Sequence, residues 1–360
     1  MPRPPLLLLG TYTDDATDGV EGIGEGVLGY AFDPATGTLE RRFAVYTEQP
    51  TYLVVDRERQ LVYVNQEIDR ADRQPGIQCF RVRHDARASR LELVNEQPLR
   101  GCVPCHLYLV PGRALYISGY ASSNLSRMKL AADGSLEPQS LHLKFSGSGP
   151  RPEQDAAHIH CCAYDARRDR LYVADLGADR VRVLVRDGAG WTEAEALTLP
   201  VAAGSGPRHL LLHPTDPDRL VLLHELWPEI SLLHLPDDAG PQEVFRFLPF
   251  APPGTDSQGG AAVRTCGDGQ YIYASERTTN TVAVLRYLPD APALELVQRV
   301  STRGDLPRDI NLSPDGRWLI AANLNSHTLA LFRRDAATGR LTFERLEEGV
   351  RSVSCVDWLV

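Results

Sequence analysis

Short apolar runs recur along the chain at intervals of roughly fifty residues, each preceded by a turn and closed by a polar cluster. The run is clearest at Leu171–Val173 and has counterparts centred on Leu8, Tyr63, Tyr116, Val221, Tyr273 and Ile320, at spacings of 55, 53, 56, 49, 52 and 47 residues. Before most of these runs stands a second short strand pattern, and after them a third and a fourth. A repeat of this length, made of brief β-rich segments and Gly/Pro/Asp turns, predicts an all-β fold: a seven-bladed β-propeller with four-stranded antiparallel blades. Residues 1–360 are expected to form one such domain.

The fourth and last repeats set out the expected order. In the fourth, His158–Ala163 opens the blade, Leu171–Asp175 returns, Arg180–Arg186 is third and Ala196–Pro200 fourth. In the last, Ile310–Leu312 leads through the turn Ser313-Pro314-Asp315-Gly316 to Trp318–Ala322, then Thr328–Arg333 and Leu341–Leu346. Proline presets φ in such a turn and glycine accepts a positive one. Asp33–Gly37 and Asp335–Gly339 are near copies of each other and are expected to join third and fourth strands. The ends of the chain break the pattern. No opening strand precedes Leu6–Gly10, whereas Ser352–Leu359 is left over after the seventh repeat, so this C-terminal strand is predicted to complete the first blade and remove an open edge.

Composition narrows the partners. Net charge is −9, with basic residues scattered, which leaves no basic face for nucleic acid. No apolar run reaches the length of a membrane span. Met1–Leu9 lacks the apolar length and small-residue cleavage site of a secretion signal, and seven cysteines without framework spacing suit a reducing cytoplasm, the expected location.

Topology alone points to a site. The opening strand of each blade starts where the second strand ends, so both points gather on one face about the axis. Strand starts place His106, His160, Arg208, His209 and Arg308 there. Strand ends place Tyr12, Glu67, Glu225, Arg277 and Asn323. His158 accompanies His160, yet residues two apart share a face of an extended strand, so directing only one of them at the axis requires a bend. Convergent polar groups in a cleft are the usual mark of a small-molecule site. They also suit any solvated channel mouth, and a propeller that binds a protein partner is the rival reading.

Other motifs carry less. Cys102-Val103-Pro104-Cys105 has redox spacing but no following helix. Cys105 and His106 with His160 and Cys161 are the best grouping for a metal, though without zinc-like paired spacing. Gly22-Ile23-Gly24-Glu25-Gly26 precedes a strand, not the helix a phosphate loop needs. His224-Glu225 lacks the second histidine of a zinc-protease motif, Pro228 standing in its place.

The stretches Gly10-Thr11-Tyr12-Thr13, His158-Ile159-His160, Ala174-Asp175-Leu176-Gly177, Gly206-Pro207-Arg208-His209, His224-Glu225-Leu226 and Leu306-Pro307-Arg308, in this order, resemble the lactonase family of seven-bladed propellers. That family includes propeller-type 6-phosphogluconolactonases and the eukaryotic carboxymuconate-cyclising enzyme. The resemblance spans essentially the whole chain and implies a cofactor-free site with His160, Arg208, Glu225 and Arg277 as catalytic residues. His158, His209, Arg308, Tyr12, Glu67, His106 and Asn323 are candidates for substrate binding. His224 and Glu276 depart from the pattern, since asparagine is common before the glutamate and before the second arginine. The implied activity is hydrolysis of a small anionic sugar-acid lactone, 6-phosphogluconolactone first, with an aldaric lactone or a muconate-type cyclisation as alternatives. Lactone opening needs an activated water, an oxyanion donor and a proton for the departing alkoxide. His160 suits the base, and Glu225 the orientation of that imidazole or the leaving-group proton. The two arginines suit a carboxylate, a phosphate or the oxyanion.

Overall fold

The computed structural model describes residues 4–15, 19–70, 72–84, 89–250 and 258–360. Among them the strands form seven antiparallel sheets, the blades of a seven-bladed β-propeller, joined by turns and by two single-turn 3-10 helices. The second strand of each blade is an unbroken buried run, as in Leu6–Thr11, Leu61–Asn65, Ala114–Gly119, Tyr271–Glu276 and Trp318–Asn323. Burial on both faces explains why these segments read as continuous apolar stretches and not as alternation. Fourth strands such as Leu39–Val45 mix exposed and half-buried positions, as an outer edge should.

Contacts divide the chain into two compact units. One holds residues 1–144, 304–333 and 343–360; the other holds 145–303 and 334–342. In the first, Val353–Leu359 pairs antiparallel with Leu6–Thr11, completing the first blade as the leftover strand predicted. Its core joins Leu7, Leu9, Phe32, Trp318, Ile320 and Trp358, with Phe32 edge-on to Trp318 at 5.9 Å and to Trp358 at 5.0 Å. In the second unit Val221, Leu223, Ile230, Phe250, Ile272 and Leu285 share a core.

The recurrent aromatic anchors have a second task. Tyr63 donates its hydroxyl to Gly134 O at 2.7 Å, Tyr273 to Gly339 O at 2.9 Å, and Trp318 its indole N–H to Pro34 O at 2.9 Å. Each thus seats on a turn between third and fourth strands. Gly37 and Gly339 close the two near-identical turns with φ of 74° and 69°, and a Cβ at either would enter the ring of Trp318 or Tyr271.

One expected strand is displaced. The fourth blade turns back early, with Gly190–Glu193 pairing against Leu184–Asp187, followed by the 3-10 turn Glu195–Leu197 and a two-residue strand, Leu199–Pro200. Trp191 anchors that early return, with Arg186 over its ring at 4.0 Å and Tyr164 edge-on at 6.0 Å. Ala196–Pro200 is therefore mostly turn.

Candidate active site

A β-bulge directs the central residues. In the fourth blade Ile159 pairs with Asp175 and Cys161 with Ala174, which leaves His160 as an extra residue without an opposite number. The same insertion falls on Arg208 in the fifth blade, Cys105 in the third, Arg308 in the seventh and Ser354 in the first. In the sixth it falls on Ala261 and Ala262. A bulge interrupts the two-residue alternation and re-aims one side chain. This supplies the bend that distinguishes His160 from His158. The strand begins only at Ile159; His158 lies ahead of it, its N–H donating to Asp175 Oδ1 at 2.9 Å and its ring nitrogen Nε2 lying 3.0 Å from Asp155 Oδ1.

Within the second unit four of the expected residues converge. Arg208 is the hub. Its Nη1 donates to His160 Nε2 at 2.6 Å and to Glu225 Oε2, and its Nε donates to Ala261 O at 2.8 Å. Arg277 Nη2 donates to the other carboxylate oxygen, Glu225 Oε1, and Arg277 Nε to Gly259 O at 3.2 Å. The main chain holds the carboxylate in place, because Glu225 N–H donates to Gly206 O at 2.7 Å and its carbonyl accepts Gly259 N–H at 2.9 Å. His209 lies edge-on to His160 with ring centroids 5.6 Å apart.

This geometry fixes protonation. A guanidinium has only donors, so Nε2 of His160 accepts and the imidazole is neutral with its proton on Nδ1. Burial pushes the Glu225 carboxyl up, but the guanidiniums of Arg208 and Arg277 outweigh it and hold the group well below the usual carboxylate range. Two guanidiniums against one carboxylate and a neutral imidazole leave one net positive charge, nearly shut off from solvent with Arg208 only 5% exposed. Such a site favours an anion.

Two expected roles change. Glu225 Oε2 lies 3.9 Å from His160 Nε2, too far for a hydrogen bond, so Arg208 and not Glu225 orients the imidazole. An ionised, doubly clamped carboxylate also has no proton to lend a leaving group.

The remaining candidates belong to the first unit. In the first unit Arg308 Nη2 donates to Tyr12 OH at 2.6 Å with its guanidinium 5.2 Å from that ring, Tyr12 donates to Glu67 Oε1 at 3.2 Å, and Thr51 donates to Glu67 Oε2. His106 packs against Tyr52 at 4.6 Å. Asn323 is fully buried and donates to Thr328 Oγ1 at 3.1 Å. Asp175 and Glu276, at matching strand ends, accept from Ala178 N–H at 3.1 Å and Thr278 N–H at 3.0 Å. At Asp175 and Glu276 this strand-end position supports a turn, and Asn323 stands at the equivalent place in the seventh blade. Among the described residues no group of three or more His, Cys, Asp or Glu side chains could hold a metal ion.

His224, next to Glu225, titrates in a useful range. Ser231 Oγ donates to Glu243 Oε1 at 2.6 Å, so it accepts the Nε2–H of His224 at 2.9 Å, and His224 Nδ1 is buried without a partner among the described residues. Burial, with Arg246 nearby, pulls this imidazole down to about 3. Between the ordinary histidine value and that figure the unfolded chain binds a proton the folded chain refuses, so stability falls as pH drops through the window. The slope reaches about 1.4 kcal/mol per pH unit. His224→Asn is expected to flatten the fall in urea midpoint between pH 6.5 and pH 4; an unchanged slope would refute this origin.

The chain matches the family model described as lactonase, 7-bladed beta-propeller, over residues 6–358. It is 29% identical over 355 residues to a 6-phosphogluconolactonase of Bacillus subtilis, covering 98% of this chain and 97% of that one. The crystal structure of a Lactobacillus plantarum protein aligns with TM-score 0.86 and 30% identity over 99% of both chains. The periplasmic gluconolactonase of Pseudomonas aeruginosa aligns with TM-score 0.90 and 26% identity, again over 99% of both. With the family's repeat, its closing strand and a match running nearly end to end, this chain belongs to the lactonase family of seven-bladed β-propellers.

Proposed function

We propose that the protein hydrolyses a sugar-acid lactone, 6-phosphogluconolactone being the first substrate to test. The names of the Bacillus subtilis and Pseudomonas aeruginosa relatives support the lactone class. The observation that carries the reading is Arg208 bridging a neutral imidazole and an ionised carboxylate in a site of net positive charge.

The chemistry follows from that bridge. The incoming lactone carbonyl takes the Arg208 donor that His160 Nε2 holds at rest, and the freed lone pair of Nε2 accepts a proton from water. The resulting hydroxide adds to the carbonyl carbon, and the oxyanion is met by guanidinium N–H groups. Among the described residues Arg208 Nη2 makes no hydrogen bond of its own, which leaves a donor for that oxygen. Collapse breaks the bond to the ring oxygen, and the imidazolium returns its proton to the departing alkoxide, giving the open hydroxy acid. Glu225 stays ionised throughout and keeps both guanidiniums converged.

The test is lactone hydrolysis by pH-stat, with spontaneous opening subtracted, using 6-phosphogluconolactone, gluconolactone and an aldarolactone. The protein should accelerate at least one, and His160→Ala should lower its kcat by about 10²- to 10⁴-fold with an unchanged circular dichroism spectrum. No acceleration of any of the three would overturn the reading.

A further inference from the structure

We propose that Trp227 and Arg151 form a subsite beside Glu225 that reads the far end of the substrate. The indole face packs on the C–H face of the sugar-acid chain, and the guanidinium binds its terminal anion, a phosphate monoester or a carboxylate. This rests on the lactonase reading and extends it to specificity.

Three tryptophans, Trp191, Trp318 and Trp358, are at most 4% exposed, whereas Trp227 is 51% exposed. An indole left half in water on a hydrogen-bonded loop is unspent binding surface. Trp227 follows Glu225 by two residues, so their Cα atoms are at most about 7 Å apart. The backbone between them is pinned: Leu226 and Trp227 both donate their N–H to Ser205 O, at 3.1 and 3.2 Å, while Glu225 donates to neighbouring Gly206 O. Leu226 is buried between the two. One rigid strip of chain therefore carries both the carboxylate that holds the reaction centre and the exposed ring.

Arg151 completes the pair. Its guanidinium carbon lies 5.6 Å from the Trp227 ring centroid, and its Nε lies 3.1 Å from where a Cβ on Gly204 would stand. It thus spans the same loop that positions Glu225. No carboxylate forms an ion pair with it among the described residues. Arg208 and Arg277 are both engaged by Glu225, so they are poorly placed to take a second anion at the far end of the same molecule. A guanidinium on an aromatic face, with no acid of its own, has the donors for that group.

Because the other three indoles are buried, the long-wavelength, acrylamide-quenchable emission should come from Trp227. Titration with 6-phosphogluconate, glucarate and gluconate reads the subsite without turnover. We expect a saturable shift in that emission, tighter for an acid with a terminal phosphate or carboxylate than for gluconate. Arg151→Gln should weaken that preferred acid by about 10- to 100-fold and gluconate little. In turnover, Trp227→Ala should raise KM about 2- to 10-fold with kcat nearly unchanged, and Trp227→Phe should restore most of it. Calorimetric binding of an acid without any change in Trp227 emission would overturn the subsite, as would equal weakening of all three acids by Arg151→Gln or the absence of binding by any of them. Failure of the lactonase reading is a separate result, seen as no acceleration of any lactone by the unaltered protein.

Discussion

Removing Ser352–Val360 is expected to leave a chain without a cooperative thermal transition. The lost strand supplies the whole of one pairing in the first blade, from Leu6 opposite Leu359 to Thr11 opposite Val353. Val353, Val356, Trp358 and Leu359 are all at most 2% exposed. Withdrawing their apolar burial forfeits on the order of 10 kcal/mol, comparable with the whole net stability of a domain, about 5–15 kcal/mol. The polar ties go as well: Ser354 Oγ donates to Thr51 O at 2.8 Å, and Val356 N–H to Asp309 Oδ2 at 2.9 Å. Leu6–Thr11 would be left as a bare apolar edge, prone to pairing with other chains. Circular dichroism melting and size exclusion of the truncated protein check this, and supplying the nine-residue peptide in trans should recover folded protein in proportion to its concentration. A truncated chain that melts like the parent would show that the closing strand is dispensable.

Arg208→Met is expected to lower kcat/KM for the lactone by about 10²- to 10³-fold, the usual effect of losing an oxyanion donor. It should also cost about 3–5 kcal/mol of stability, because Glu225 stays buried with one of its two cations gone. The two effects separate in a double variant. With Glu225→Gln already present, adding Arg208→Met should cost much less stability, while activity remains lost. The acid limb adds a check with a definite sign. The folded-state pKa of Glu225 is depressed, so its stabilisation is complete above the ordinary carboxylate range and is lost as pH falls below it. In Arg208→Met the depression shrinks and that contribution becomes smaller. Urea midpoints for the four proteins across pH 3 to 7 measure both, and additive stability losses would refute the clamp.

Much of the architecture was legible because a propeller's second strands are buried on both faces. The runs at Leu8, Tyr63, Tyr116, Val221, Tyr273 and Ile320 had to be apolar throughout, and their period survives any variation in the turns. The leftover C-terminal strand could be placed because an unpaired edge is costly. The early return in the fourth blade was not legible, since it depends on Trp191 packing against Arg186 and Tyr164, a contact with no trace in local propensity. His160, Arg208, Glu225 and Arg277 were identifiable as residues, from position and from resemblance. Their division of labour was not, because strand position does not say that Arg208 lies between imidazole and carboxylate. Trp227 was not legible for a related reason: sequence does not reveal which of four tryptophans is left in solvent.

The bulges at Ser354, Cys105, His160, Arg208 and Arg308 have an evolutionary consequence. A side chain on an inserted residue is carried by its strand without being part of the packing alternation that sets the register. Exchanging it changes what the blade presents and leaves the alternation on either side intact. A serine, a cysteine, a histidine and two arginines already occupy equivalent places in one chain. The fold thus behaves as a holder with replaceable tips, and new chemistry can be installed one blade at a time without renegotiating how the blade is built.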